Sequence, residues 1–133
     1  MKVDGQCHCG QIRYEAEIDP ANVSVCHCTD CQILTGTAYR VSAPASAASL
    51  VFLAGAPKIY IKTAESGNKR AQGFCSNCGT PIYSADAQNP QSYFLRVGTM
   101  SQRAALPPQR QIWCRSALAW ASDIRSLEPS ERA

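Results

Sequence analysis

Seven of the eight cysteines stand in three tight clusters: Cys7-His8-Cys9, Cys26-His27-Cys28-Thr29-Asp30-Cys31 and Cys75-Ser76-Asn77-Cys78-Gly79. Thiolates two or three residues apart suit one metal ion better than they suit disulfides. A C-x-C pair closes too small a ring for the Cα separation and torsion that a disulfide needs. The same pair sits readily on two vertices of a tetrahedral zinc. Clusters of two, three and two thiolates fall one short of two complete tetrathiolate sites. One site would be closed and structural; the other would have three ligands and an open, reactive position.

Spacing alone leaves the partition open. Cys7 and Cys9 can complete a site with Cys75 and Cys78, leaving Cys26, Cys28 and Cys31. Equally, the pair Cys28 and Cys31 can join Cys75 and Cys78, leaving Cys7, Cys9 and Cys26. Gly79 permits the positive φ that lets amides turn toward sulfur. A redox reading of either C-x-x-C is weak, because no βαβ pattern surrounds it. Cys114 lies outside the clusters and reads as a buried small hydrophobe. His8 and His27 each sit between two cysteines. In extended chain they point away from a metal that their neighbours hold. The sharper alternative makes His27 a fourth ligand or a general base, since imidazole titrates near neutrality.

The elements that must position these ligands read as short strands. Gln11–Glu17 alternates, with Ile12, Tyr14 and Ala16 on one face. Ala38–Val41, Leu50–Leu53, Lys58–Thr63, Ser92–Val97 and Ile112–Cys114 are further strand candidates, rich in β-branched or aromatic residues. Asp19-Pro20, Ser66-Gly67-Asn68, Asn89-Pro90 and Pro107-Pro108 punctuate them. No segment keeps a 3.6-residue apolar period over three turns, though Ala117–Leu127 has room for a short helix. The tail beyond Leu127 is polar. The reading is a mainly β, single-domain chain over residues 1–133.

Composition narrows the function. Zinc ligands are thiolates. Counting seven of them with two divalent ions brings the formal charge of +3 to about neutral. Without a Lys/Arg run there is no footprint for nucleic acid. No run of 18 apolar residues predicts a membrane helix. The N-terminus has no apolar signal region, which leads to the expectation of a cytoplasmic protein with reduced thiols.

The chain resembles the glutathione-dependent formaldehyde-activating enzyme family, which includes the centromere protein V group. The resemblance rests on Gly5-x-Cys7-His8-Cys9-Gly10, on Cys26-His27-Cys28-x-x-Cys31 with Thr35-Gly36, and on Phe74-Cys75-x-x-Cys78-Gly79-Thr80-Pro81-Ile82. It runs from Gly5 to about Trp120. It implies small twisted antiparallel sheets around zinc, a β-tent. It also implies two zinc ions: Cys7, Cys9, Cys75 and Cys78 as structural ligands, and Cys26, Cys28 and Cys31 as the ligands of a second, catalytic ion. The implied activity is that of a carbon–sulfur lyase joining glutathione and formaldehyde into S-hydroxymethylglutathione. Glutathione has two carboxylates, which Arg40, Arg70 or Arg96 could grip bidentately, although each arginine read singly is ordinarily a solvated surface charge. Gln32, Gln111 and Ala119 depart from the family pattern, which often has a basic residue, a histidine and a proline there. These departures keep two alternatives in view. One is a related zinc lyase or thiol-binding protein with another substrate. The other is a non-catalytic zinc-stabilised interaction module.

Overall fold

Alternation of buried with more exposed residues builds the first sheet of the computed structural model, which describes residues 1–132. Strand β1 (Lys2–Gln6) buries Val3 and Gly5, and β2 (Arg13–Glu17) buries Tyr14 and Ala16. They pair antiparallel, and β2 pairs on its other side with β5 (Val51–Ala54). Gly5 lies directly opposite Tyr14 in the register. A Cβ on Gly5 would stand 2.3 Å from the tyrosine ring. The glycine is therefore a seat for a buried aromatic. Gly5→Ala is expected to cost about 1–3 kcal/mol through overpacking, read as a lowered denaturation midpoint with an unchanged m-value.

The second sheet has seven strands in the order β10-β3-β4-β9-β8-β7-β6. These are β3 (Ser24–Cys26), β4 (Arg40–Ser46), β6 (Lys58–Thr63), β7 (Lys69–Phe74), β8 (Pro81–Asp86), β9 (Ser92–Arg96) and β10 (Arg110–Ile112). All neighbours in it are antiparallel except β10, which runs parallel to β3. The expectation of a mainly β, single-domain chain holds. The strand expected at Ile112–Cys114 lies two residues earlier.

The one α-helix among the described residues, α1 (Thr29–Thr35), begins inside the central cysteine cluster. Its seven residues are too short to show a period. Its signal is in its ends. Cys28 is the N-cap, its Sγ accepting from the Cys31 amide at 3.2 Å. Gly36, left-handed at φ 67°, closes the other end with its amide on the Gln32 carbonyl. The helix expected over Ala117–Leu127 forms only a 3₁₀ turn at Ala119–Ser122, preceded by another at Cys114–Ser116.

Between the sheets lies a core containing Val3, Ile12, Tyr14, Ile82, Leu95 and Met100, with Cys7 and Cys75 embedded in it. The opposite face of the seven-stranded sheet is polar. In β4, Ala43 and Ala45 belong to the core, while Arg40 and Ser42 belong to the other face. That division creates the candidate site.

Candidate functional site

The first cysteine group joins the two sheets. Cys7 and Cys9 come from the turn after β1, and Cys75 and Cys78 from the turn between β7 and β8. Their four sulfurs lie within 4.8 Å of one another. Cys7 Sγ is 3.5 Å from Cys9 Sγ, which is 3.8 Å from Cys75 Sγ. Tetrahedral zinc with Zn–S near 2.3 Å requires S···S separations of about 3.8 Å, so the donor set fits. Each turn ends in a left-handed glycine: Gly10 donates to the Cys7 carbonyl, and Gly79 donates to the Cys75 carbonyl. The Ile12 amide also donates to Cys7 Sγ at 3.2 Å. The Thr80 hydroxyl beside Cys78 holds that thiol down at about 5, toward the thiolate a metal needs.

Cys26, Cys28 and Cys31 form the second group, their sulfurs also within 4.8 Å of one another. Cys26 ends β3, Cys28 caps α1, and Cys31 sits in its first turn. The hydrogen bond from Cys31 holds Cys26 low, at about 5, and leaves Cys31 itself pushed up, with burial adding to the rise. The geometry thus groups 7/9/75/78 and 26/28/31, rather than pairing Cys28 and Cys31 with the distant turn.

This second group opens into a cleft of about 580 Å³. Its floor is the polar face of the seven-stranded sheet, and the register sets out its rows. Cys26 pairs with Ile112 on one side and Arg40 on the other. Ser24 pairs with Ser42, and Ser42 with Arg96. Phe94 pairs with Ser84, and Ser84 with Gln72. Arg40 and Arg96 are 7% and 6% exposed, so neither is the solvated charge that its residue type suggests. Arg70 is half-buried, its guanidinium 5.7 Å from the centre of the Phe94 ring. Two ion pairs cross the cleft, Lys62–Asp30 at 2.6 Å and Arg115–Glu65 at 3.1 Å. Arg115 and Glu65 are well exposed, so that pair contributes little to stability.

His27 is buried and faces away from the three sulfurs. Its Nε2 lies 2.7 Å from Gln111 Oε1. An amide oxygen accepts, so Nε2 bears the proton. Tyr39 packs edge-on to the ring at 5.6 Å. Gln32 donates from Nε2 to the carbonyls of His27 and Ser116, both at 2.9 Å, tying α1 to the turn after Trp113. Two departures from the family pattern, Gln32 and Gln111, are therefore the residues that fix this histidine and its loop. His8 is exposed. Cys114 is also exposed, not buried as its type suggested, because Trp113 adopts φ 58° and turns the chain out into a 3₁₀ turn. Sequence reasoning passed over Ser42, Gln72 and Ser84. Alternation in Arg40-Val41-Ser42-Ala43 was the available signal.

The profile of the glutathione-dependent formaldehyde-activating enzyme family matches residues 2–116. The chain belongs to this family. A Halomonas elongata protein bearing the family's name is 27% identical over 115 residues, covering 83% of this chain and 73% of that protein. An uncharacterised lyase of Schizosaccharomyces pombe is 27% identical over 94 residues, covering 71% of this chain and 65% of its own length. A crystal structure of a Rhodobacter sphaeroides protein shares the fold, with a TM-score of 0.62 and 22% identity over 81% of this chain and 98% of that one. Family membership supports an enzyme of the formaldehyde-activating, lyase-like kind. No helix among the described residues is long and apolar enough to cross a membrane.

Proposed function

We propose that this protein is a zinc-dependent carbon–sulfur lyase acting on a thiol–aldehyde adduct, with glutathione and formaldehyde giving S-hydroxymethylglutathione. The observation behind this reading is a three-cysteine group opening into a basic cleft, while a four-cysteine group is anchored in the core through Cys7 and Cys75. Cys7, Cys9, Cys75 and Cys78 are assigned to a structural zinc within the single domain of residues 1–133. Cys26, Cys28 and Cys31 are assigned to a second, catalytic zinc. When bound there, zinc supplies a Lewis-acidic position suited to a soft thiolate.

The chain's own residues supply the rest. Cys28 caps α1 with its sulfur, so the helix N-terminus fixes the ligand rotamer. The cleft has Lys62, Arg40, Arg70, Arg96, Arg110 and Arg115 against Asp30 and Glu65. That excess of positive charge draws in an acidic thiol and favours its thiolate. In the bond-forming direction the sulfur bonds to the aldehyde carbon. The carbonyl π pair moves to oxygen, which takes up a proton equivalent to the one the thiol gave up. Lyase action is the reverse.

The competing reading of a closed, non-catalytic module needs a fourth protein ligand. His27 is the nearest candidate in sequence, and it is engaged by Gln111 instead. Titrating the cobalt-substituted protein with glutathione separates the two. A rise in sulfur-to-cobalt charge transfer, absent with S-methylglutathione, is expected for an exchangeable fourth position. An unchanged spectrum would support the closed module.

A further inference from the structure

Arg40 and Arg96 are two buried guanidiniums with no carboxylate between them. Arg40 Nη1 and Arg96 Nη2 both donate to one acceptor, Gln72 Oε1, at 3.3 and 3.2 Å. Arg96 Nη1 donates to Ser42 Oγ at 2.8 Å and to the Phe94 carbonyl at 3.2 Å. The Nε atoms of both arginines are buried without a protein acceptor. Neither side chain enters an ion pair among the described residues; the acids of the cleft, Asp30 and Glu65, are paired with Lys62 and Arg115. Burial first, and then the neighbouring Arg40, push Arg96 down to about 9.

Like charges packed together away from water are a poor way to hold a fold. They are a good way to hold an anion, because the fork geometry matches a carboxylate and the desolvation cost is already met. Position says which anion. Arg40 stands directly across the strand pair from Cys26, so the floor adjoins the sulfur cluster, and Arg96 is one row further in.

We propose that Arg40 and Arg96, with Ser42, form a carboxylate subsite on the floor of the cleft, so that one partner in the carbon–sulfur bond is an acid whose carboxylate lies against the sheet. The inference rests on the lyase reading above for its substrate class. Two sources share this chemistry. The carboxylate belongs either to the thiol, as in a peptide thiol, or to the carbonyl partner, as in a 2-oxo acid.

Calorimetric titration of the metal-loaded protein with S-methylglutathione and, separately, with glyoxylate tests this, alongside thermal melts of each variant. At least one probe is expected to bind wild type and to lose about 30-fold or more in affinity in Arg96→Met, within the range for stripping one partner from a buried charge contact. The melting temperature of Arg96→Met should stay level or rise, because a repelling buried charge has gone. Loss for S-methylglutathione assigns the carboxylate to the thiol; loss for glyoxylate assigns it to the carbonyl compound. Arg40→Lys keeps the charge and loses the fork, and the same probe should weaken about 5-fold or more. This variant decides the matter if Arg96→Met fails to fold.

Failure of both probes to bind wild type would overturn the subsite. So would equal binding by wild type and the folded variants. The lyase reading is tested apart from it, by carbon–sulfur exchange on the same samples. Exchange that persists unaltered in Arg96→Met sinks the subsite alone. Arginine-dependent binding without any exchange sinks the lyase reading alone.

Discussion

Cys75→Ser abolishes or severely weakens folding. Cys75 is buried in the core beside Cys7, and the group it belongs to ties the three-stranded sheet to the seven-stranded sheet. Structural zinc binding in small peptides is worth about 10–16 kcal/mol, whereas a whole domain has a net stability of only about 5–15 kcal/mol. A serine hydroxyl is not a thiolate, so the site loses one of four ligands and the remaining three must desolvate around a poorly held ion. The expected result is an insoluble protein, or one with a melting temperature lowered by more than 15 °C, where about 1 kcal/mol moves a domain of this size by a few degrees. Circular dichroism melts with metal content measured on the same sample check it. A soluble mutant as stable as wild type would show that this group does not support the fold.

Cys31→Ser behaves differently. Cys31 lies in the first turn of α1 and faces the cleft, outside the main core cluster. Its amide still caps onto Cys28 after substitution, since that hydrogen bond uses the backbone. The protein is expected to fold with near wild-type stability, to hold one zinc instead of two, and to lose exchange activity by more than about 100-fold, beyond the effect of losing an outer partner of a ligand. Loss of both ions would mean that the ligands are divided differently between the sites.

Much of this was legible in the chain, and unevenly so. The cysteine clusters stood out because ligand spacing is a local property. The strands Lys58–Thr63 and Ser92–Arg96 read directly from β-branched and aromatic residues. By contrast, Ser24–Cys26 and Lys69–Phe74 were invisible. The first is three residues long, and the second, Lys-Arg-Ala-Gln-Gly-Phe, lacks β-branched residues and is set by its neighbours on both sides. Helix α1 was missed because seven residues are too few for a period, its one buried residue is the candidate ligand Cys31, and its N-cap is a cysteine. The burial of Arg40 and Arg96 is a tertiary fact. Each arginine alone reads as solvated, and only the register of β3, β4 and β9 brings them to one floor with Ser42.

Exchange NMR of a glutathione–formaldehyde mixture, comparing zinc-loaded wild type with Cys31→Ser, decides whether the three-cysteine cleft carries out the carbon–sulfur chemistry. Faster interconversion of free thiol and hydroxymethyl adduct is expected with wild type only. Equal, uncatalysed exchange in both samples, with two zinc ions confirmed in the wild type, would contradict it.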